Sequence, residues 1–225
     1  MILLAIDTSG PQGSIALARA PEDERSPSEL EILDLIPLEG GTFSAQLVPQ
    51  IAGLLAKHGL NKADVDAFAA ASGPGSFTGL RVGLAVIKAL AEILGKPVAA
   101  VSRLEALARA AEVRGTVLAA LDAGRGELYA GLYDIQEVVQ MRSERLLTNA
   151  ELLAEAAGQI LVTPDSKLAE AARIAGLQIR QIESPRSDAI ARLGWEKISR
   201  GETVSPEHLE ANYIRRSDAE IFAKK

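Results

Sequence analysis

The 225-residue chain has no cysteine. That excludes disulfides, thiolate nucleophiles and cysteine-ligated metals together, and it fits a reducing compartment. Histidine is nearly as scarce. His58 and His208 are the only two and stand far apart in sequence, so an imidazole-based zinc site has little to draw on. Basic charge is also short, with 24 Lys plus Arg against 30 Asp plus Glu and a formal net charge of −6. A free-standing nucleic-acid binder carries a basic field, which this chain lacks; RNA handled jointly with a basic partner stays open. No apolar run approaches the ~20 residues that span a bilayer. The longest, Leu80 to Leu94, is interrupted by Lys88 and Glu92. The opening Met1-Ile2-Leu3-Leu4-Ala5-Ile6-Asp7 has no basic stretch and meets a charge too early for a signal peptide. A cytoplasmic protein that does not engage membranes is expected.

What is present is a core's worth of apolar residues, 48%, and an order of elements that recurs. Apolar runs at Ile2 to Ile6, Ser14 to Ala18 and Leu30 to Leu38 read as strands, the second entered through Gly10-Pro11-Gln12-Gly13, the third after a polar stretch from Pro21 to Ser28. A helix over about Ser44 to His58 follows, then a strand at Val65 to Ala71, a helix at Phe77 to Leu94 and a strand at Val98 to Val101. Ser102 and Glu105 are spaced as a capping box for a helix to about Val113. The order then repeats. Strands are expected at Thr116 to Leu121, Glu127 to Tyr133 and Val138 to Leu146, and a helix capped by Thr148 and Glu151 runs to Ala157. A strand at Ile160 to Thr163, a helix at Ser166 to Ala175, a strand at Gln178 to Ile182 and a helix at Ser187 to Arg200 complete it. Each half reads βββαβαβα: a meander extended by right-handed crossovers into an α/β layer.

Three segments carry candidate chemistry. Asp7-Thr8-Ser9 ends the first strand, and its ordinary reading is a turn in which Asp and Ser bond the local backbone. Asp122-Ala123-Gly124-Arg125-Gly126 occupies the corresponding turn of the second half, where two glycines let backbone amides face an anion or simply make the hairpin. The order of elements resembles the actin-like ATPases, and that resemblance implies that such turns approach a nucleotide, making Asp7, Asp122 and Gly124 the candidate contacts. Ser72-Gly73-Pro74-Gly75-Ser76-Phe77-Thr78-Gly79-Leu80-Arg81 joins a strand to a helix, where glycines permit close approach and the helix's first N–H groups form a candidate anion nest. It lacks the lysine and hydroxyl residue of a Walker A loop, and no Gly-x-Ser-x-Gly elbow occurs in the chain.

Two such lobes resemble the two-lobed actin-like ATPase (ribonuclease H-like) architecture, in which ATP sits between lobes; the cut is expected between residues 104 and 105, giving lobes 1–104 and 105–225. Leu4-Ala5-Ile6-Asp7-Thr8-Ser9 and Gly73-Pro74-Gly75-Ser76-Phe77-Thr78-Gly79-Leu80-Arg81-Val82-Gly83 resemble the TsaB family, also called YeaZ, and the likeness continues through Asp122 to Tyr133. The resemblance implies a role in making threonylcarbamoyladenosine beside the tRNA anticodon. It implies a non-catalytic paralogue that dimerises with the transferase TsaD and works with the ATPase TsaE, meeting tRNA only through that complex. TsaD-type proteins carry a paired-histidine metal motif on the first helix; here that segment is Gly40-Gly41-Thr42-Phe43-Ser44-Ala45-Gln46-Leu47, so no metal site is expected. Active members of the superfamily place a glycine-rich turn where this chain has Thr163-Pro164-Asp165-Ser166-Lys167. No tightly bound cofactor is therefore expected, and ATP only in the assembled complex. The closing Tyr213-Ile214-Arg215-Arg216 resembles the family's last segment and is expected to return to the first lobe; with Lys224 and Lys225 it is locally basic.

At 100° per residue the helix from Leu80 to Leu94 has two apolar faces, Leu80, Leu84, Ile87 and Ala91 against Val82, Val86, Ala89 and Ile93. One face suffices to cover a sheet. The helix from Ser44 to His58 has a similarly wide arc that includes Leu47, Ile51 and Leu54, and puts His58 on its apolar ridge. The surplus is read as a partner interface, assigned to Leu47, Ile51, Leu54, Leu80, Leu84, Ile87 and Ala91, with the Val82/Val86 face as the alternative. Two other readings stand beside the scaffold: a small ATPase or kinase using Asp7 and Asp122, and a homodimer through the same helices.

Overall fold

The computed structural model describes residues 1–21 and 30–215. Most of the polar Pro21 to Ser28 stretch, and Arg216, Lys224 and Lys225, lie outside the described residues. The chain forms two compact units.

In the first, β1 (Ile2–Asp7), β2 (Gly13–Arg19) and β3 (Glu31–Leu38) make an antiparallel meander. β4 (Ala67–Gly73) and β5 (Val98–Ser102) extend it in parallel, giving the order β3-β2-β1-β4-β5. β1 is an unbroken apolar run because it is the central strand, covered on both faces. Neighbouring side chains point to opposite faces. Leu4, Ile6, Ile15, Leu17 and Phe68 pack with helices α1 (Phe43–Lys57) and α2 (Phe77–Leu94). The last helix, α6 (Ser187–Ser199), covers the other face, where Gly194 lies so close that a Cβ would come within 2.3 Å of the Ala69 Cβ. Its first residue is fastened to β2: the Ser187 N–H donates to Ser14 Oγ at 2.9 Å and the Ser187 hydroxyl to the Ser14 carbonyl at 2.5 Å. The following segment passes the β5 edge, where the Val204 N–H donates to the Val98 carbonyl at 2.9 Å, and then buries Leu209 in the cluster beneath α1 and α2.

The second unit repeats the plan. β6 (Gly115–Gly124), β7 (Glu127–Ile135), β8 (Val139–Thr148), β9 (Ile160–Thr163) and β10 (Gln178–Gln181) lie in the order β10-β9-β6-β7-β8. With β6 read as β1 and β9 as β4, the two sheets share one topology. Helices α4 (Asn149–Glu155) and α5 (Ser166–Ile174) pack on Leu118, Ala120, Leu128 and Leu161. Helix α3 (Arg103–Ala110) covers the other face through Leu104 and Leu107 against Val117, Tyr133 and Val162.

The recurring βββαβαβα order read from the sequence is the order found. The Thr148–Glu151 capping box is present, with the Thr148 N–H donating to Glu151 Oε2 at 2.8 Å and the Glu151 N–H to Thr148 Oγ1 at 3.3 Å. The helix drawn to Val113 stops at Ala110, and Glu112 takes a left-handed φ of 52°. The single cut between residues 104 and 105 is corrected. The units are Met1–Ser102 with Arg186–Asn212, and Arg103–Pro185 with the residues from Tyr213 on. The physical reason is cover. Each sheet needs helices on both faces, and the third helix of each half supplies the single-helix face of the other half's sheet. Of the closing segment, Tyr213, Ile214 and Arg215 belong to the second unit.

Candidate functional site

The segment singled out for its glycines opens α2 against the end of β1. Glycine is required there by contact. A Cβ at Gly79 would sit 1.9 Å from the Thr8 carbonyl oxygen, at Gly75 2.4 Å from the Ser9 carbonyl oxygen, and at Gly83 2.3 Å from Thr8 Oγ1. The Ser76 N–H donates to the Ser9 carbonyl at 2.7 Å, Thr8 Oγ1 donates to the Gly79 carbonyl at 2.7 Å, and the Gly79 N–H donates to Ser76 Oγ at 3.3 Å. The nest expected at this helix start is therefore partly spent on the protein's own turn. Asp7 is 5% exposed, and its Oδ1 accepts from the Ser9 N–H at 2.8 Å and from the Ser9 hydroxyl. This is the turn-stapling geometry of the ordinary reading.

Asp122 and Gly124 are brought together in the second unit, where the Gly124 N–H donates to Asp122 Oδ1 at 2.8 Å. The turn needs left-handed backbone, with φ of 72° at Gly124, 59° at Arg125 and 79° at Gly126. Arg215 closes over it, donating to the Ala123 carbonyl at 2.7 Å and the Gly124 carbonyl at 3.1 Å and pairing with Glu127. Asp7 belongs to the first unit and Asp122 to the second.

The expected interface residues are corrected. Leu47, Ile51, Leu54, Leu80, Leu84, Ile87 and Ala91 are 0–6% exposed in the chain by itself and form the face that α1 and α2 turn to the sheet. Six of them offer a partner almost no surface, and Ile51 meets the outside only at the wall of a cavity. The surplus lies on the other side of the same helices. Val48 is 57% and Ile93 74% exposed, Ala52, Ala56 and Ala89 are exposed, and Val82, Val86 and Leu90 are half-buried. A cavity of about 400 Å³ opens on this side, lined mainly by Val48, Ala52, Leu55, Ala56, Leu60 and Leu90. The spacing of Gly79 and Gly83 held the missed signal. Small residues one turn apart mark the side that approaches a backbone closely, and Leu80, Leu84 and Ile87 lie next to it.

His58 does more than pack. Its Nε2 lies 3.0 Å from Asp34 Oδ2 on β3, beside the Lys57 Nζ at 2.6 Å. The Lys57 ammonium first, and His58 second, hold the Asp34 carboxyl down at about 2. Nothing local in the sequence marks Asp34, because its partners stand 23 and 24 residues on, at the far end of the following helix. His208 lies against Ser205, its Nδ1 2.7 Å from the hydroxyl. Among the described residues no three His, Asp or Glu side chains gather as a metal site requires, and no helix is long and apolar enough to cross a membrane.

A duplicated meander-and-crossover sheet with helices on both faces defines a two-lobed actin-like, ribonuclease H-like α/β protein. Comparison with known proteins agrees. The family model described as "TsaD: tRNA N6-adenosine threonylcarbamoyltransferase" matches residues 40–178. Over nearly full length the chain is similar to the Bacillus subtilis (strain 168) tRNA threonylcarbamoyladenosine biosynthesis protein TsaB, 30% identical over 98% of this chain and 96% of that one. It is 28% identical to the Escherichia coli (strain K12) TsaB over 97% of this chain and 96% of that one. Among solved structures, YeaZ from Pseudomonas aeruginosa superposes with a TM-score of 0.73 at 27% identity, covering 94% of this chain and 99% of that one. The chain belongs to the TsaB (YeaZ) family of tRNA threonylcarbamoyladenosine biosynthesis proteins, within the wider family of the TsaD model.

Proposed function

We propose that this protein is a non-catalytic subunit that binds a TsaD-like paralogue through the exposed side of α1 and α2 and supports its threonylcarbamoyl transfer to tRNA. One observation carries the reading: those helices bury one apolar face on the sheet and leave a second, with a cavity of about 400 Å³, facing outward. Two helices offering such a surface suit a four-helix contact with a partner built on the same plan. Coupling follows if the partner's active conformation binds this surface better than its inactive one. A TsaE-like ATPase joins the assembly, ATP is engaged only there, and tRNA is met through the complex. Alone, the same surface supports a homodimer. The protein works where tRNA is modified, in the cytoplasm.

The test is threonylcarbamoyladenosine formation on tRNA with TsaD, TsaE, ATP and the activated threonylcarbamoyl donor held constant. Val48→Asp combined with Ile93→Asp is expected to abolish dependence on this protein and to remove its binding to TsaD, while circular dichroism stays native. Asp7→Ala with Asp122→Ala is expected to leave modification standing wherever the variant folds. Loss of modification by a folded, TsaD-bound double alanine variant would instead assign nucleotide chemistry to this chain and sink the proposal.

A further inference from the structure

In an open α/β sheet, ligands bind in the crevice beyond the carboxyl ends of two neighbouring parallel strands whose connections leave in opposite directions. Each unit has one such place. In the first it lies between β1 and β4, where the opening turn of α2 packs on Thr8 and Ser9 with no room for a Cβ at Gly75 or Gly79. In the second it lies between β6, which turns back into β7, and β9, which leads through α5 to β10. There the crevice is open, a cavity of about 290 Å³.

Its lining combines two chemistries. Leu128 and Leu168, each 4% exposed, and the half-buried Leu153 give it an apolar floor. Asp122, Glu127, Asp165, Asn149 and Lys167 give it a polar rim. Much of the rim is uncommitted. Asp122 Oδ1 accepts the Gly124 N–H, and Asp165 Oδ1 accepts the N–H groups of Lys167 and Leu168, which leaves the second oxygen of each carboxylate without a partner among the described residues. The Lys167 ammonium has no carboxylate within ion-pairing distance, and the Asn149 side chain no hydrogen bond, among those residues. Glu127 is paired with Arg215. The lining therefore sets three carboxylates against one ammonium, with one of the three, Glu127, paired to Arg215 from outside the crevice. That balance disfavours a polyphosphate and favours a ligand that brings its own ammonium.

We propose that this crevice binds a small aliphatic amino acid as its zwitterion. The ammonium is held by Asp122 and Asp165, the carboxylate by Lys167 and Asn149, and the side chain lies on Leu128, Leu153 and Leu168. The site is within one unit and does not depend on the helix-pair reading.

The experiment is a titration of the full chain with L-valine and L-threonine, followed by amide chemical shifts in the segments 122–128 and 165–171. N-acetyl-L-valine methylamide, which lacks both charges, and magnesium–ATP are parallel probes. Saturable shifts confined to those segments, with a dissociation constant of about 1 mM, are expected for the amino acids and not for the neutral or polyphosphate probes. Lys167→Met and Asp122→Asn should each weaken binding about tenfold. Ala171→Phe, which places a ring in the crevice without touching its charges, should abolish it. No saturable shift with either amino acid overturns the proposal, and so does binding unchanged in all three variants. Binding of ATP but not the amino acids at these amides overturns the ligand class.

Discussion

The two units carry the same strand order and the same two-helix and one-helix faces, yet differ at equivalent points beyond the carboxyl ends of their central strands. In the first, glycines let a helix start pack directly onto the backbone oxygens of Thr8 and Ser9. In the second, Thr163-Pro164-Asp165-Ser166-Lys167 opens the equivalent helix without glycine, and a cavity remains. A glycine-rich strand–helix turn thus has opposite uses. It can bring backbone to a phosphate, or it can bring backbone to backbone and leave no site.

The most severe way to break this contrast is Gly79→Ala. Alanine is the better helix former by about 1 kcal/mol. The new Cβ, however, would lie 1.9 Å from the Thr8 carbonyl oxygen, a backbone atom that no rotamer change can move aside. A net loss of about 2–3 kcal/mol is expected in urea unfolding. Ala171→Phe, at the open counterpart, should shift stability by no more than about 0.5 kcal/mol. Equal effects at the two positions would show that the first crevice is not close-packed.

What could be read beforehand divides along the same line. Strands and helices were legible because each is a local run or period, as with Phe77–Leu94 and the Thr148–Glu151 cap. The assignment of sides was not. Helix α2 is apolar on both faces, so periodicity alone does not tell sheet from solvent, and Leu84 and Ile87, expected at an interface, are core. The cover supplied by α3 and α6 to the opposite sheets was hidden too, since it depends on pairings such as Ser14 with Ser187 across most of the chain. Asp7 and Asp122 stand at equivalent positions of the two halves, and each carboxylate accepts an N–H two residues on.

A smaller effect sharpens the second unit's side of the contrast. Arg215 closes the β6–β7 turn through two carbonyls and Glu127. Nothing comparable is needed at the β1–β2 turn, where Gly40 lies so near that a Cβ would fall 1.8 Å from the Pro11 carbonyl oxygen. Arg215→Ala should cost about 1–2 kcal/mol and raise amide exchange across residues 122–127, leaving exchange in β1 and β2 unchanged. Unaltered exchange in the turn would mean that its left-handed residues and the Asp122 side chain hold it alone.

The smallest effect concerns a tie that both units make with reversed charge. In the first, Asp34 on β3 holds Lys57 and His58 at the end of α1; in the second, Arg145 on β8 holds Glu155 at the end of α4. Cations suit a helix C-terminus and a carboxylate does not, so the first tie is the better placed against the helix dipole. Lys57 and His58 lower the Asp34 carboxyl from 3.8 to about 2. A carboxyl lowered by folding stabilises the fold above its unfolded value, and the contribution fades as pH falls through the folded value. The tie is thus fully present above about pH 4 and lost towards pH 2. Because Lys57 is two-thirds exposed, solvent screening reduces its worth to roughly 1 kcal/mol. Asp34→Asn should therefore remove about that much stability at pH 6 and almost none near pH 2. A stability difference from the unsubstituted protein that stays constant across this range would mean that the carboxylate charge contributes nothing, and that the advantage over the second unit's tie is absent.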